Sequence, residues 1–225
     1  MDDIGRIKHH GLHRWWEQAL TDTDRMTIRT CGCDISGEPG MLTTQQPLGF
    51  VVVLLGWLTD DLATAHKVAQ QGLSMVEGAS IIDVHFLYSQ IIHVYYRHRD
   101  QPGAMNTVLR FCDRQIEIGP QVMAAMIEEH RTGQERSAQM FGRTEPPRPF
   151  DPPSHLGFRQ LCIIRTKEGK HDEVIRLCET AIAQGWMGDW QRRIERARKS
   201  LQKLGQDLPR CAGLVEWLWR EQHDV

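Results

Sequence analysis

The sequence lacks the short motifs that mark several enzyme classes. It has no Gly-x-Ser-x-Gly nucleophile elbow, no His-Glu-x-x-His metalloprotease motif, no glycine-rich phosphate loop with lysine, and no paired Cys-x-x-Cys motifs. Serine, histidine and aspartate are present, but no spacing singles out a nucleophile and its base. Because catalytic groups also assemble in space from distant positions, an uncharacterised enzyme or metal-binding protein stays an alternative function.

The chain also lacks a long hydrophobic run and an excess of either charge. The longest apolar run, from Leu48 to Leu58, is shorter than the ~20 residues that cross a bilayer, and residues 1–16 have no apolar core of the signal-peptide type. The 27 basic and 29 acidic residues give a net charge of −2. Bulk charge therefore favours neither nucleic acid nor a membrane as partner, and we expect a cytoplasmic protein.

Six of the 225 residues are cysteine. This density does not make a disulfide scaffold, which agrees with a reducing compartment. Three of the thiols lie on predicted apolar helix faces, where free cysteine acts as a small hydrophobic side chain; these are Cys112, Cys162 and Cys178.

A zinc site is a further alternative near the N-terminus. Zinc ligands in proteins are often cysteine and histidine, and the candidates here are Cys31 and Cys33 together with His9 and His13. A single Cys-x-Cys without a second cysteine pair is a weak zinc signal, and loop thiols with solvated histidines are the simpler interpretation. We therefore expect no metal and no cofactor.

What the sequence does contain is helical periodicity between His155 and Leu204. A first apolar face is followed by Gly169, which ends the helix as a C-terminal glycine does. A second apolar face follows at once, so the two helices are antiparallel, and one hairpin alone cannot bury both faces. The first face comprises Phe158, Leu161, Cys162 and Ile164, and the second comprises Val174, Ile175, Cys178, Ala181 and Ile182.

These residues resemble the tetratricopeptide-repeat family. The last hairpin fits its pattern at Phe158, Leu161, Cys162, Gly169 and Ala181. Two further copies fit between Tyr88 and Ile116 (Ile91, Tyr95, Tyr96, Asp100 and Ala104) and, more faintly, between Gly49 and Val76 (Trp57, Asp61, Ala65 and Gly72). The C-terminal part also resembles a block found in uncharacterised bacterial repeat proteins. The resemblance implies an all-α fold of antiparallel helix hairpins stacked as a short right-handed α-solenoid, with a proline-rich loop before the last repeat.

The chain is predicted to have four parts. Residues 1–47 form N-terminal helices and a loop, 48–141 helical repeats, 142–154 a proline-rich linker, and 155–225 a C-terminal repeat with a basic helix and a capping helix. The prolines of the linker favour extended backbone. A linker between repeats is the ordinary role, and a proline-rich ligand is the alternative. A short helix is predicted to begin after Thr21, which caps it together with Asp24. Longer helices are predicted over 4–20, 48–58, 62–76, 81–99, 102–118, 121–140, 190–204 and 213–222.

The resemblance also implies a function. In that family the first helix of each hairpin lines a concave surface that binds peptides, so a non-catalytic adaptor or scaffold is expected. The corresponding positions are Leu54, Trp57, Ser89, His93, Tyr96, Arg97, Arg159, Ile163 and Lys167. Their aromatic and cationic side chains suit an extended or acidic peptide. No asparagine occupies them, which disfavours a clamp for a peptide C-terminus, and burial between helices is the alternative role for Trp57 and Tyr96.

A basic stripe follows the predicted helix 190–204. Arg192, Arg196, Lys199 and Lys203 recur at i, i+4, i+7 and i+11. Such a row can bind nucleic acid or an acidic partner with marked salt dependence. Glu195, four residues before Lys199, favours the alternative of an ordinary solvated helix surface. Neither the identity of a partner nor the oligomeric state follows from these patterns.

Overall fold

A computed structural model describes residues 4–36, 46–142 and 148–204. The expected all-α class is confirmed, since these residues form helices and turns, with one isolated bridge between Ser154 and Met187 and no strand. No helix among them is both long and apolar enough to cross a membrane. The predicted capping helix 213–222 lies outside the described residues. The chain divides into two compact units, Met1–Asp151 and Pro152–Val225.

The first unit contains eight helices within its described residues. They are α1 (Gly5–His9), α2 (His13–Gln18), α3 (Asp22–Thr30), α4 (Pro47–Trp57), α5 (Leu62–Leu73), α6 (Ile81–Arg97), α7 (Ala104–Glu117) and α8 (Gly119–Phe141).

The N-terminal helix predicted over 4–20 is wrong as a single element. Gly11 adopts a φ of 70° and separates α1 from α2. This left-handed conformation is open to glycine at little steric cost, and one such residue ends a helix. The break lets Ile7, Leu12 and Trp16 all reach the core.

The capping box predicted for the next helix is present. The Thr21 hydroxyl accepts a hydrogen bond from the Asp24 backbone N–H, and the Asp24 carboxylate accepts one from the Thr21 N–H. The same carboxylate also accepts hydrogen bonds from Lys67 and Thr64 of α5. Burial alone would raise the pKa of Asp24, but the hydrogen bonds from Lys67, Thr21 and Thr64 outweigh it and hold the pKa well below its usual range. Asp24 therefore ties α3 to α5.

Helix α6 is central to the packing of the first unit. Short turns pair α4 with α5 and α6 with α7, and α6 contacts α4, α5, α7 and α8. Helix α4 is apolar on nearly every side, as its sequence predicts, and most of its side chains are buried. Gly72 of α5 permits a close approach, because a Cβ there would lie 2.7 Å from Leu87 Cδ1 and 3.2 Å from Val51 Cγ1.

The ends of three helices differ from their predicted positions. Pro102 precedes α7 instead of occupying its first turn, since Gly103, with a φ of 77°, is the residue before the helix. Gly119 and Pro120 begin α8 rather than separating it from α7, because proline is well accommodated in a first turn. Helix α5 ends at Leu73, short of Val76.

The second unit contains α9 (Leu156–Lys167), α10 (His171–Ala183) and α11 (190–204). The predicted hairpin is confirmed: α9 packs on α10, and Gly169 has a φ of 73° in the turn between them. His155 caps α9, because its Nδ1 accepts a hydrogen bond from the Phe158 backbone N–H. Most of the predicted apolar face is buried, but Ile182 and Leu204 are about half exposed, so these two were wrongly expected in the core.

Candidate partner-binding surface

A row of exposed and half-buried side chains runs along α6 on the side away from its buried face. Phe86, Gln90, His93 and Arg97 follow i, i+4, i+7 and i+11 spacing, so they share one face of the helix. His93 and Arg97 are exposed, and Phe86 leaves 40% of its surface accessible. The buried residues of α6 all lie on its other sides. This row is therefore the outer surface of the helix.

Helix α4 extends this surface beside α6. A Cβ at Gly56 would lie 3.5 Å from the Gln90 carboxamide, and Arg97 forms an ion pair with Asp60 just beyond α4. Residue numbers increase in the same direction in both contacts, so α4 and α6 run parallel to each other. On α4, Val53 is 49% exposed and Trp57 55% exposed. We call the set formed by Val53, Trp57, Phe86, Gln90, His93 and Arg97 the α4–α6 surface.

The indole of Trp57 has one local contact that its position in the sequence did not predict. A Cβ built on Gly32 would lie 3.2 Å from its ring, so the ring covers the backbone that follows α3. Gly32 has a φ of 95°, in the region that favours glycine. Trp57 as a whole is still 55% exposed, so burial between helices does not account for it.

Ser89 and Tyr96 lie at the edge of the α4–α6 surface and are partly covered. The Ser89 hydroxyl is 2.5 Å from Gln115 Nε2, which donates to it from α7. Gln115 also donates to the His85 backbone carbonyl, so this amide joins α7 to α6 inside the protein. The Arg99 guanidinium lies 5.2 Å from the centre of the Tyr96 ring. Both side chains thus have intramolecular partners.

Three of the predicted contact residues belong to the second unit. Arg159 and Lys167 are exposed on α9, and Ile163 is half-buried beside them. In the first unit, Leu54 is fully buried in the core, so its predicted place on a binding surface is wrong. Periodicity cannot separate the sides of α4, because nearly all of its residues are apolar.

A groove of about 840 Å³ lies at the ends of α5, α6 and α7, and sequence reasoning missed it. Two of its side chains, His66 and Tyr95, are hydrogen-bonded to each other, with 2.5 Å between the His66 Nδ1 and the Tyr95 hydroxyl oxygen. His98 also lines the groove, and its Nε2 lies 3.0 Å from the Thr59 carbonyl oxygen. The remaining lining is Asp60, Asp61, Leu62, Ala63, Lys67, Gln101, Pro102, Gly103, Ala104 and Thr107.

Two polar side chains of this groove, Tyr95 and Lys67, have partners within the protein. Burial raises the pKa of Tyr95, and nearby Arg110 only partly opposes the effect. The phenol therefore stays neutral at pH 7, and Lys67 is committed to Asp24. The positions of His66 and Tyr95 in the sequence carry no common motif, so their approach was not predictable from spacing.

The basic stripe lies on the outer side of α11. Arg192, Arg196, Lys199 and Lys203 are all exposed. Arg196 donates to the Asp189 carboxylate at 3.3 Å. Within the described residues, the other three cations have no carboxylate at ion-pair distance, and Lys199 does not pair with Glu195.

The cysteines and histidines near the N-terminus do not form a metal site in the described part of the chain. No group of three or more histidine, cysteine, aspartate or glutamate side chains in these residues is placed to hold an ion. Cys33 is buried, His9 and His13 are exposed, and the Cys31 thiol donates to the Ile28 carbonyl at 3.1 Å.

Comparisons with known proteins add no relative, since no protein-family model, no curated protein and no solved structure matches the chain.

Proposed function

We propose that the chain is a non-catalytic adaptor, built as a TPR-like array, that binds an extended peptide segment of a protein partner across the α4–α6 surface. The observation that carries the proposal is the exposure of three large apolar side chains, Val53, Trp57 and Phe86, on two adjacent helices. Exposed apolar side chains are common singly, but grouped beside polar and charged groups they are typical of interaction sites.

The chemistry of the surface indicates the kind of peptide. Trp57 and Phe86 offer rigid aromatic contacts of the type that contributes most at interfaces. His93 and Arg97 offer donors for carboxylates and backbone carbonyls along the same row. Because Asp60 already pairs with Arg97, a peptide carboxylate has to compete for this guanidinium. We therefore expect aromatic and aliphatic anchors to contribute more to affinity than acidic residues.

A peptide selection tests this function without a known partner. Immobilised full-length chain is used to select binders from a random library of dodecamer peptides, and fluorescence polarisation then measures each affinity. We expect the Val53→Ala/Phe86→Ala/His93→Ala variant to bind the selected peptides at least about tenfold more weakly, the loss of one or two interface anchors.

The matched control replaces exposed apolar residues elsewhere, in the variant Met26→Ala/Met187→Ala. It should bind like the wild type. Equal weakening of both variants, or selected peptides that bind the triple variant normally, would rule out the α4–α6 surface as the site.

Nucleic-acid binding through the basic stripe is the second candidate, favoured by the exposure of Arg192, Lys199 and Lys203 without ion-pair partners in the described residues. With three phosphate contacts, the logarithm of affinity for single-stranded DNA should fall with the logarithm of salt with a slope of about −2. Polarisation of a labelled 20-nucleotide strand measures this slope. No binding at low salt, or binding unchanged in Lys199→Ala/Lys203→Ala, excludes the stripe.

A further inference from the structure

The C-terminal half of α8 holds a segment of the same chain that is neither helix nor turn. Residues 148–150 lie against this helix, and together they enclose a cavity of about 390 Å³. The helix side of the cavity is formed by Ile127, His130, Arg131, Gln134, Glu135 and Ala138, and the segment contributes Arg148 and Phe150. We call the helix side the α8 groove.

The Gln134 side chain holds the segment by its backbone. Its Nε2 donates to the Arg148 carbonyl oxygen at 2.6 Å, and its Oε1 accepts from the Arg148 backbone N–H at 2.9 Å. A carboxamide that pairs with both the donor and the acceptor of one residue reads an extended backbone, as a neighbouring strand would. His130 Nε2 lies 3.0 Å from the same carbonyl oxygen and also contacts Gln134 Nε2, so the imidazole lies directly beside this pair of hydrogen bonds.

Side chains of the segment add selectivity to the backbone contacts. The Phe150 ring packs against the His130 ring at a centroid distance of 5.5 Å, near the exposed Ile127. Pro149 restricts the preceding residue to extended conformations, so Arg148 presents its backbone groups with little loss of entropy. The Arg148 side chain is exposed, so its identity contributes least.

Ion pairs line the polar side of the groove. Arg131 donates to Glu128 at 2.6 Å and to Glu135 at 2.5 Å, along one face of α8. These exposed pairs contribute little stability. They do occupy the charged groups near the groove, which leaves the Gln134 amide, His130 and the apolar contacts as the recognition elements.

We propose that the α8 groove is a recognition site for extended peptides that carry a proline–aromatic pair, and that residues 148–150 occupy it as a tethered ligand that an external peptide displaces. This goes beyond binding on the α4–α6 surface and uses none of its residues. Tethering gives the internal segment an effective concentration of about a millimolar, so an external peptide competes only when it is abundant or binds more tightly.

The test uses the full-length chain with the internal segment weakened by Pro149→Gly/Phe150→Ala. The probe is a fluorescein-labelled peptide with the sequence of residues 148–153, Arg-Pro-Phe-Asp-Pro-Pro. We expect it to bind the double variant at least about tenfold more tightly than the wild type, because the groove is then open. Adding Gln134→Ala should abolish binding, whereas adding Gln70→Ala, an exposed glutamine of α5, should not.

Two results would overturn the proposal. One is no binding of the probe at millimolar concentration by a double variant whose circular dichroism and melting temperature match the wild type. The other is a wild-type dimer, measured by light scattering, that dissociates in the double variant, since the groove would then hold the segment of a second copy. A probe with alanine in place of phenylalanine should bind at least several-fold more weakly, and equal binding also counts against the site.

Discussion

The ammonium of Lys67 lies 2.5 Å from the carboxylate of Asp24, which is almost fully buried and at the same time completes the capping box of α3. The two residues are 43 positions apart in the chain. One carboxylate therefore determines both where α3 begins and how it packs on α5.

Replacing this carboxylate should destabilise the protein. We expect Asp24→Ala to lower the free energy of unfolding by about 2–4 kcal/mol, because it removes the cap and leaves Lys67 without its partner. Urea denaturation followed by circular dichroism measures the change. Asp22→Ala is the control, since the Asp22 carboxylate is exposed and its loss should have little effect. Equal losses in the two variants would contradict the assigned role of Asp24.

The buried His85 should make stability depend on pH. Burial lowers the pKa of His85 to about 4. As the pH falls below about 6.5, His85 becomes protonated in the unfolded chain but stays neutral in the folded chain. The free energy of unfolding is therefore highest above this pH and decreases as the pH falls toward 4. The expected contribution is about 3 kcal/mol across this window.

Unfolding free energies of the wild type and His85→Gln at pH 7 and pH 4.5 test this pH dependence. The difference between the two pH values should shrink in the variant, whereas His93→Gln, an exposed position on the same helix, should keep it. An NMR titration of the wild-type His85 ring is an independent measurement, and protonation above pH 6 would refute the prediction.

Two helical glycines should respond to alanine in opposite directions. At Gly72 the added Cβ meets Leu87 and Val51 in the core, and we expect a loss of about 1–2 kcal/mol despite the better helix propensity. At Gly133 on α8 no atom lies within 4 Å of the added Cβ, so Gly133→Ala should gain up to about 1 kcal/mol. Thermal denaturation of both variants measures the difference, and a stabilised Gly72→Ala would show that α5 and α6 pack less closely than described.

The described thiols should differ sharply in reactivity. Burial raises the pKa of Cys33 to about 11, with a smaller effect from Cys31, so only about one molecule in a thousand carries this thiolate at pH 8. Cys112, Cys162 and Cys178 are fully buried, and Cys31 is the most accessible. In a Cys211→Ser background, which removes the one thiol outside the described residues, a disulfide reagent should modify one group rapidly. Cys31→Ser should abolish that phase, and rapid modification of two or more groups would be inconsistent with the burial described.

The placement of helices was largely predictable, because each apolar face repeats at short range in the chain. The hairpin on either side of Gly169 and the cap at Thr21 are local in this sense, and both are present. The break at Gly11 was missed because glycine is also compatible with the interior of a helix, and only packing determines whether it adopts a positive φ. Leu54 was misplaced because α4 is apolar on every side and gives no indication of its orientation.

The surfaces depended on the tertiary structure. The sequence determined that α6 carries His93 and Arg97 on one face, since helical geometry alone aligns them. Which neighbours cover that face was decided by packing: Gln115 of α7 donates a hydrogen bond to Ser89, whereas Phe86 stays 40% exposed and Trp57 55% exposed. The approach of His66 to Tyr95 and the clamp of Gln134 on Arg148 were likewise decided by packing, because contacts between separate segments depend on how elements stack, and no local pattern encodes that distance.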